Sequence, residues 1–345
     1  MAESPNGLKG LVEPTELVAW LREHLPATGR LVSDSRRVGK GDAFFALHGR
    51  RQDGSTFIAQ AVQQGAAAVV VAIPAQACQA EDAAEGDAAQ AEHAACGNFD
   101  YFRNLPTLPD GIQVLVCYVP CLGAQLGALA DEYYDHPTQV LDVVAVTGTN
   151  GKTSTTHWIA QGVNDRLART GDAQTEDAKN GSADTSSQRP AEFAGLVIAL
   201  DGEADTVMQP GRGRGVVIGT NGVGTPGALK YIGLTTPDPL TLQTLFQRFR
   251  TDTEAPVGVV AMEASSIGLV QGRMQGTCIH TAVFTNLTRD HLDYHGSMQA
   301  YGAAKVGLFS WPTLQAAVVN LGDPLATEII EVLHRHPAAP RIIGY

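Results

Sequence analysis

The fold of this chain is decided by the stretch Val143-Val144-Ala145-Val146-Thr147-Gly148-Thr149-Asn150-Gly151-Lys152-Thr153-Ser154-Thr155-Thr156. Its apolar, β-branched start predicts a buried strand that breaks into a glycine-bracketed loop. A strand followed by Gly-x-x-Gly-Lys-Thr and a helical segment is typical of triphosphate sites, because loop amides and a helix N-terminus face the phosphates. The stretch therefore predicts ATP binding. The predicted contacts are Gly148, Thr149, Asn150, Gly151, Lys152, Thr153 and Ser154.

The loop departs from the general phosphate-loop pattern at one position. The pattern Gly-x-x-x-x-Gly-Lys-[Ser/Thr] requires glycine at position 146, where this sequence has Val146. On the motif alone, a loop of unrelated function stays open as an alternative.

Composition and charge favour a cytoplasmic protein. The length of 345 residues is sufficient for two domains with ordinary cores. The formal net charge of −12 argues against nucleic acid or an anionic membrane as the main partner. No N-terminal leader pattern and no uninterrupted apolar run of ~18 residues is present. The five cysteines lack paired zinc spacing, so reduced thiols are expected.

Alternating strand and helix patterns predict an α/β fold with two domains, residues 1–138 and 139–345. The first is a small α/β domain, and the second is a P-loop-type central domain with a mostly parallel sheet flanked by helices. Two of the second domain's strands lead into Glu263 and Asn286, and ligands of such sheets bind outside the carboxyl ends of strands. Residues 76–104 and 165–192 have little to bury. We interpret the first stretch as an excursion or partly disordered loop and the second as a mobile insertion.

Several motifs together resemble those of the Mur ligases, ATP-dependent enzymes that join an amino acid to a carboxylate. The motifs are Asp34-Ser35-Arg36, Gly41-Asp42-Ala43-Phe44-Phe45-Ala46, Thr147-Gly148-Thr149-Asn150-Gly151-Lys152-Thr153, Met262-Glu263-Ala264-Ser265-Ser266, Gln271-Gly272-Arg273, Phe284-Thr285-Asn286-Leu287-Thr288-Arg289-Asp290-His291-Leu292-Asp293-Tyr294-His295-Gly296 and Ala303-Ala304-Lys305. Within the family they are similar to the MurE type, which adds the third residue of the peptidoglycan stem peptide. The phosphate loop also resembles that of folylpolyglutamate synthetases.

The resemblance implies catalytic roles for Lys152, Glu263, His291 and Lys305. Lys152 would lie along the phosphates, while Thr153, Glu263 and His291 would bind Mg²⁺. Lys305 would bind the second Mg²⁺ if it carries a carbamate formed with CO₂. His295 is interpreted as structural.

Each of these residues also has a structural interpretation. Lys152 and Lys305 could be solvated lysines, and Lys305 on its own would more often be one. Glu263 could be a sheet-edge carboxylate paired with arginine. His291 could cap the following helix.

For the sugar-nucleotide acceptor, the resemblance implies contacts with uridine and with the muramoyl dipeptide. The uridine contacts are Ser33 and Ser35, and the dipeptide contacts are Thr235, Thr236, Ser265, Gln271 and Arg273. Each of these polar residues has an alternative role in a cap or turn.

The sequence also departs from the family pattern. Ile267 replaces a histidine, Leu234 replaces an asparagine, residues 50–52 differ from a segment that often contacts uridine diphosphate, and residues 320–323 match the family only in part. Acceptor binding is therefore less well supported than ATP binding.

The resemblance implies an ATP-dependent ligase that adds meso-diaminopimelate to UDP-N-acetylmuramoyl-L-alanyl-D-glutamate through an acyl phosphate. The choice of diaminopimelate over lysine depends on overall likeness to proteobacterial sequences. We expect a monomer that lacks the family's third, amino-acid-binding domain, because the chain ends at Tyr345. Two alternatives stay open: another amide ligase such as a folylpolyglutamate synthetase, and an inactive module that binds ATP or a sugar nucleotide.

Overall fold

The structure, a computed structural model, describes residues 14–47, 53–73, 115–120, 122–176 and 213–345. By its internal contacts the chain divides into two compact units. One extends to His136 and includes Pro239–Thr244, and the other comprises Pro137–Asp238 and Leu245–Tyr345. The assignment of residues 1–138 and 139–345 to separate functional domains stays a prediction.

The first unit contains a parallel four-stranded sheet in the order β1-β2-β3-β4. Its strands are β1 (Leu31–Val32), β2 (Ala43–Ala46), β3 (Ala68–Ile73) and β4 (Leu115–Pro120), and its helices are α1 (Pro14–His24), α2 (Ile58–Gln63) and α3 (Leu122–Tyr133). Side chains alternate along β2, so Phe45 packs in a cluster with Leu17 and Leu126, while Phe44 packs with Ile58 in another. The predicted α/β character of this region is confirmed.

The second unit contains an eight-stranded sheet in the order β12-β11-β10-β5-β9-β6-β7-β8. Its strands are β5 (Asp142–Thr147), β6 (Arg214–Gly219), β7 (Gly222–Thr225), β8 (Ala228–Lys230), β9 (Val257–Glu263), β10 (Thr281–Phe284), β11 (Ala316–Val319) and β12 (Arg341–Gly344). All neighbours are parallel except β6 with β7 and β7 with β8. The carboxyl ends of β10, β5, β9 and β6 therefore lie side by side at one edge.

Helices connect these strands. They are α4 (Lys152–Glu176), α5 (Pro239–Arg250), α6 (Ser266–Val270), α7 (Leu292–His295), α8 (Met298–Val306) and α9 (Ala326–His334). The 3₁₀ turns are Ser35–Arg37 and Gly54–Phe57 in the first unit and Pro137–Gln139 and Gly307–Ser310 in the second. The core around β5 includes Val144, Val146 and Val283, with Ile159 of α4 packed against them. The mostly parallel sheet with flanking helices confirms the predicted fold class.

The predicted mobile insertion at 165–192 is wrong for its first part, because α4 continues without interruption to Glu176. Residues 165–176 contain no proline, and seven of these twelve residues are leucine, alanine, arginine, glutamine or glutamate, which favour helix. A polar segment that extends an already packed helix needs no apolar face of its own. Residues 177–192, the excursion at 76–104, the predicted strand at 197–200 and the variant segment 50–52 lie outside the described residues.

Within the described ranges, no helix has the length and apolar character needed to cross a membrane. Cys278 is half-buried and forms no disulfide within the part of the chain that the structure describes. Cys78, Cys96 and Cys121 lie outside the residues that the structure describes.

Candidate active site

The loop between β5 and α4 requires glycine at two positions. Gly148 has φ +145° and Gly151 has φ +86°, which L side chains rarely adopt. A Cβ at Gly148 would also collide with Oγ1 of Thr285. Val146 is fully buried in β5, where it pairs with Glu263 of β9. This position explains why Val146 replaces the glycine of the general phosphate-loop pattern. Residue 146 still belongs to the strand, and the loop begins after it.

The segment that follows β10 fixes the loop backbone. Asn286 O accepts from Thr149 N–H at 2.8 Å, and Asn286 Oδ1 accepts from Asn150 N–H at 3.0 Å. The Thr285 hydroxyl donates to Asn150 O at 2.6 Å. Sequence reasoning gave no role to Thr285 or Asn286, although both lie in a recognised motif directly after a strand. They hold the loop in shape from the neighbouring strand.

Lys152 folds back over the loop. Its Nζ donates to Gly148 O at 2.8 Å and to Thr149 O at 2.9 Å. Burial lowers the pKa of the Lys152 ammonium, and the negative charges of Glu263 and Asp290 oppose that shift. These contacts disagree with a solvated lysine and place a cation directly over the glycine loop.

Glu263 ends β9, an interior strand between β5 and β6, and is only 1% exposed. Its Oε1 accepts from the Thr153 hydroxyl at 2.9 Å and from Thr220 N–H at 2.9 Å. Its Oε2 accepts from the Thr220 hydroxyl at 3.1 Å. The alternative of a sheet-edge carboxylate paired with arginine is therefore wrong. A buried carboxylate held by hydroxyls and an amide lies beside the loop instead.

The approach of Glu263 to β6 depends on Gly219. A Cβ at Gly219 would collide with Oε1 of Glu263. Because Gly219 has no side chain, the carboxylate can lie against the end of β6 and reach Thr220. Sequence reasoning missed both residues, since only the three-dimensional pairing of β6 with β9 brings them to Glu263.

Lys305 is buried, with 1% exposure, so its interpretation as a solvated helix residue is wrong. Its Nζ donates to Gly148 O at 2.9 Å and lies 4.2 Å from the centroid of the Tyr301 ring. Burial, with the nearby positive charge of Lys152 as a second cause, lowers the pKa of Lys305 to about 7, and Asp290 opposes the shift. Two lysine ammonium groups thus bind the same loop carbonyl.

His291 lies at the start of α7 in the left-handed conformation, with φ +50°. Its side chain makes no capping hydrogen bond, so the proposed capping role is wrong. The imidazole is 44% exposed, with Nε2 3.6 Å from Asp290 Oδ2 and its ring 5.9 Å from that of Tyr301. His295 contacts the Ser266 hydroxyl at 3.0 Å, in agreement with a structural role.

Comparison with known proteins identifies the family of this chain. The model named Mur ligase family, catalytic domain, matches residues 30–98, and the Mur ligase middle domain matches residues 206–344. A UDP-N-acetylmuramoyl-L-alanyl-D-glutamate–2,6-diaminopimelate ligase from Acidovorax sp. (strain JS42) is 39% identical over 319 residues, which is 92% of this chain and 49% of that relative. The chain belongs to the Mur ligase family.

A ligase of the same name from Ectopseudomonas mendocina (strain ymp) is 37% identical over 315 residues, 91% of this chain and 48% of that relative. The chain thus spans about half the length of the curated relatives it matches. A solved structure of a ligase with that name is 27% identical with a TM-score of 0.56, covering 92% of this chain and 48% of its own. MurF from Acinetobacter baumannii, 17% identical with a TM-score of 0.52 and coverage of 95% and 52%, shares the fold.

In this Mur ligase chain, three predicted acceptor residues lie beside Glu263 or beside its partner Thr220. The buried Thr236 hydroxyl donates to Glu263 O at 2.8 Å and lies 2.9 Å from Ser265 Oγ. Thr235 Oγ1 lies 3.0 Å from Thr220 Oγ1. Ser265 also caps α6 by accepting from Gly268 N–H at 3.1 Å. The capping alternative therefore applies to Ser265, and the structure leaves its acceptor role a prediction.

Arg273 is held in one orientation. Its Nε and Nη2 donate to Gln271 Oε1 at 2.9 and 2.6 Å, and its Nη1 donates to Thr236 O at 2.7 Å. Gln271 in turn donates to the Tyr294 hydroxyl at 3.2 Å. The predicted residues Gln271, Arg273 and Thr236 thus form one connected group.

Ser33 and Ser35 lie in the first unit. Ser35 is buried and donates to Gln60 Oε1 at 2.9 Å. Ser33 directly follows β1. Asp34, between them, caps the 3₁₀ turn by accepting from Arg36 N–H at 3.1 Å. Their predicted contact with uridine stays a prediction.

The positions that depart from the family pattern have plain structural settings. Ile267 lies within α6, and Leu234 is 47% exposed. Asp323 accepts from Leu287 N–H at 2.7 Å and from Leu325 N–H at 2.9 Å. Asp323 thus connects the segment that follows β10 to the turn that follows β11.

The oxygen atoms of Thr153 and Glu263 fit a magnesium site. The Thr153 proton points to Glu263, so the lone pairs of its hydroxyl are available to a cation. Across the described residues, no three His, Cys, Asp or Glu side chains converge as metal ligands. A small protein ligand set suits Mg²⁺, which keeps several waters and binds phosphate oxygens alongside one or two protein groups.

Proposed function

We propose that this chain forms the nucleotide- and acceptor-binding part of an ATP-dependent acid–amino-acid ligase of peptidoglycan precursor synthesis. The substrates would be UDP-N-acetylmuramoyl-L-alanyl-D-glutamate and meso-diaminopimelate, which the names of the curated relatives specify. The observation that carries this proposal is the convergence of Lys152, Lys305 and the Thr153–Glu263 pair on the Gly148 loop.

The reaction brings two anions together. An oxygen of the acceptor's γ-carboxylate attacks the γ-phosphorus of ATP, the bond to ADP breaks, and an acyl phosphate forms. The amine of the diamino acid then attacks the acyl carbon, phosphate leaves with the bonding electron pair, and the amine loses a proton. Because both steps place negative charge near the loop, cationic groups and a fixed orientation lower the barrier.

Lys152 supplies the first of these charges. Its two hydrogen bonds go to neutral carbonyls, so the ammonium can transfer them to phosphate oxygens, which bind it more strongly. The ATP-binding set would be residues 148–154, with the N-terminus of α4 directed at the phosphates. Mg²⁺ would supply further charge neutralisation at Thr153 and Glu263.

Lys305 has a separate proposed role. A lysine with a pKa of about 7 is substantially neutral at physiological pH, and only a neutral amine attacks CO₂. Carbamate formation would turn Lys305 into an anionic ligand for a second Mg²⁺, with His291 as a further ligand.

Acceptor binding would use two groups of residues. The group Thr235, Thr236, Ser265, Gln271 and Arg273 would bind the dipeptide, with the Arg273 guanidinium facing a carboxylate. Ser33 and Ser35 of the 1–138 domain would bind uridine. A cytoplasmic location and a monomeric state also stay predictions.

The test is calorimetric titration of the chain with a non-hydrolysable ATP analogue, with and without Mg²⁺. We expect nucleotide binding that depends on Mg²⁺. Lys152→Ala should weaken this binding strongly, whereas the control Lys230→Ala, at an exposed residue, should leave it unchanged. Absence of Mg²⁺-dependent uptake would refute the proposal. Phosphate release that requires ATP, the acceptor and the diamino acid together would separate a ligase from an inactive binding module, and a folate substrate in the same assay would detect a folylpolyglutamate synthetase.

A further inference from the structure

Thr220 connects two predicted ligand sites. It lies one residue beyond the end of β6, and both its N–H and its hydroxyl donate to Glu263. The same hydroxyl lies 3.0 Å from that of Thr235. Thr220 therefore bridges Thr235, which is predicted to bind the acceptor, and Glu263, which is predicted to bind the metal.

The direction of every hydrogen bond in this connection is fixed. A carboxylate only accepts, and a hydroxyl carries a single proton. Since Thr220 gives its proton to Glu263 Oε2, Thr235 must donate to Thr220. Thr153 gives its proton to the other carboxylate oxygen at 2.9 Å. The four side chains thus form one hydrogen-bonded series. It runs from Thr235 through Thr220 to Glu263, and Thr153 donates to Glu263 from the side predicted to bind the nucleotide.

Burial differs along this chain of bonds. Glu263 is 1% exposed, Thr235 is half-buried and Thr220 is exposed. The Thr235 hydroxyl has committed its proton and presents only lone pairs to a ligand. An acceptor group that meets it must donate a hydrogen bond, as a peptide N–H does. Such a bond polarises the Thr235 hydroxyl and strengthens the next bond, because hydrogen bonds in series reinforce one another.

We propose that Thr220 is a positioning residue that couples acceptor binding at Thr235 to nucleotide binding at Thr153, through the orientation of Glu263. The proposal deepens the proposed function and depends on it. Acceptor binding stabilises the observed orientation of the Glu263 carboxylate. In that orientation Glu263 accepts the Thr153 proton, so the lone pairs of Thr153 stay directed at the cation bound to the nucleotide. By thermodynamic reciprocity, nucleotide binding strengthens acceptor binding by the same factor.

The experiment measures the dissociation constant of a non-hydrolysable ATP analogue with Mg²⁺ by calorimetry, in the absence and presence of UDP-N-acetylmuramoyl-L-alanyl-D-glutamate. In the unmodified chain we expect the acceptor to tighten nucleotide binding about fivefold or more. Thr220→Val should bring that ratio close to one, and Thr220→Ser should restore it. Thr251→Val is the matched control, because that hydroxyl bonds only backbone carbonyls at the end of α5.

Thr235→Val breaks the same connection from its other end and should also bring the ratio close to one, which provides a second variant if Thr220→Val does not fold. An unchanged ratio in both valine variants, or a ratio of one in the unmodified chain, would overturn the coupling and leave nucleotide binding intact. Failure of the unmodified chain to bind nucleotide would instead remove the proposed function together with the coupling.

Discussion

The ammonium of Lys305 lies 4.2 Å from the centroid of the Tyr301 ring, one helical turn earlier on α8. The phenol oxygen of Tyr301 lies 3.2 Å from Thr149 Oγ1, and Lys305 itself donates to Gly148 O. The ring face therefore stabilises a cation that burial destabilises. Tyr301 and Lys305 thus lie on the same face of α8, and both contact the Gly148 loop.

The buried ammonium of Lys305 should make stability depend on pH. Its pKa is lowered to about 7 in the folded chain, below the value near 10.5 from which it is shifted, so between these values the unfolded chain binds more protons. The free energy of unfolding should therefore rise with pH through this window, and the destabilisation is fully present below about 7. Denaturant unfolding at a series of pH values should show this slope.

Lys305→Met should flatten that dependence, because it removes the titrating group and keeps most of the side-chain volume. Lys230→Met is the matched control, since Lys230 is exposed at the end of β8. If the free energy of unfolding rose equally steeply with pH in the unmodified chain and in Lys305→Met, the lowered pKa of Lys305 would be contradicted.

Gly148→Ala should destabilise the loop severely. The new methyl group would meet the Thr285 hydroxyl, and φ +145° is strained for alanine. We expect a loss of about 2 kcal/mol or more in the free energy of unfolding. Gly307→Ala is the control, because a Cβ there meets nothing within 4 Å and the backbone is helical. Similar unfolding midpoints for the two variants would show that the close approach to Thr285 does not constrain the loop.

Glu263→Gln should reduce the effect of Mg²⁺ on nucleotide binding. The amide keeps the shape of the side chain but removes the negative charge that attracts a cation. With Mg²⁺ we expect affinity for the ATP analogue to fall about tenfold or more, and without Mg²⁺ we expect little change. The control is Glu331→Gln on α9, an exposed residue paired with Arg335. A loss of equal size with and without the metal would show that Glu263 acts only on the fold.

Arg273→Lys should weaken binding of the acceptor although it keeps the charge. The guanidinium makes three hydrogen bonds in a fixed orientation to Gln271 and Thr236, which an ammonium cannot reproduce. We expect the acceptor's dissociation constant to rise about tenfold, with the nucleotide's constant unchanged. Arg335→Lys, at an exposed pair, should change neither. An unaffected acceptor constant would remove Arg273 from the acceptor site.

The phosphate loop and the strands around it could be predicted because their signals are local. The β-branched run before Gly148 and the apolar run before Glu263 each specify a buried strand with a polar residue at its end. The burial of Lys305 could not be predicted, since a lysine at a helix end is usually solvated and only the packing of α8 against the loop excludes water. Thr220 escaped prediction because its significance arises from strand pairing and carries no local pattern.

The prediction at residues 165–176 failed for another reason. A lack of apolar residues was interpreted as a lack of structure, whereas the preceding turns of α4 already pack on the sheet through Ile159 and Ala160. Once a helix has begun, each added residue costs little, so a polar segment continues it.

The candidate site lies at the carboxyl ends of the parallel strands of the second sheet, and the turns that precede these strands lie at the opposite end. Inserting one residue inside β9 would turn Glu263 to the opposite face, since side chains alternate along a strand. Extra residues at the amino ends, such as the turn at 251–256 before β9, would leave the pairing of Glu263 with Val146 intact. Residues 177–212 precede β6 in the sequence, and that strand begins at Arg214. An insertion at the amino ends of these strands should therefore preserve the register of the candidate site, whereas an insertion inside β9 should not.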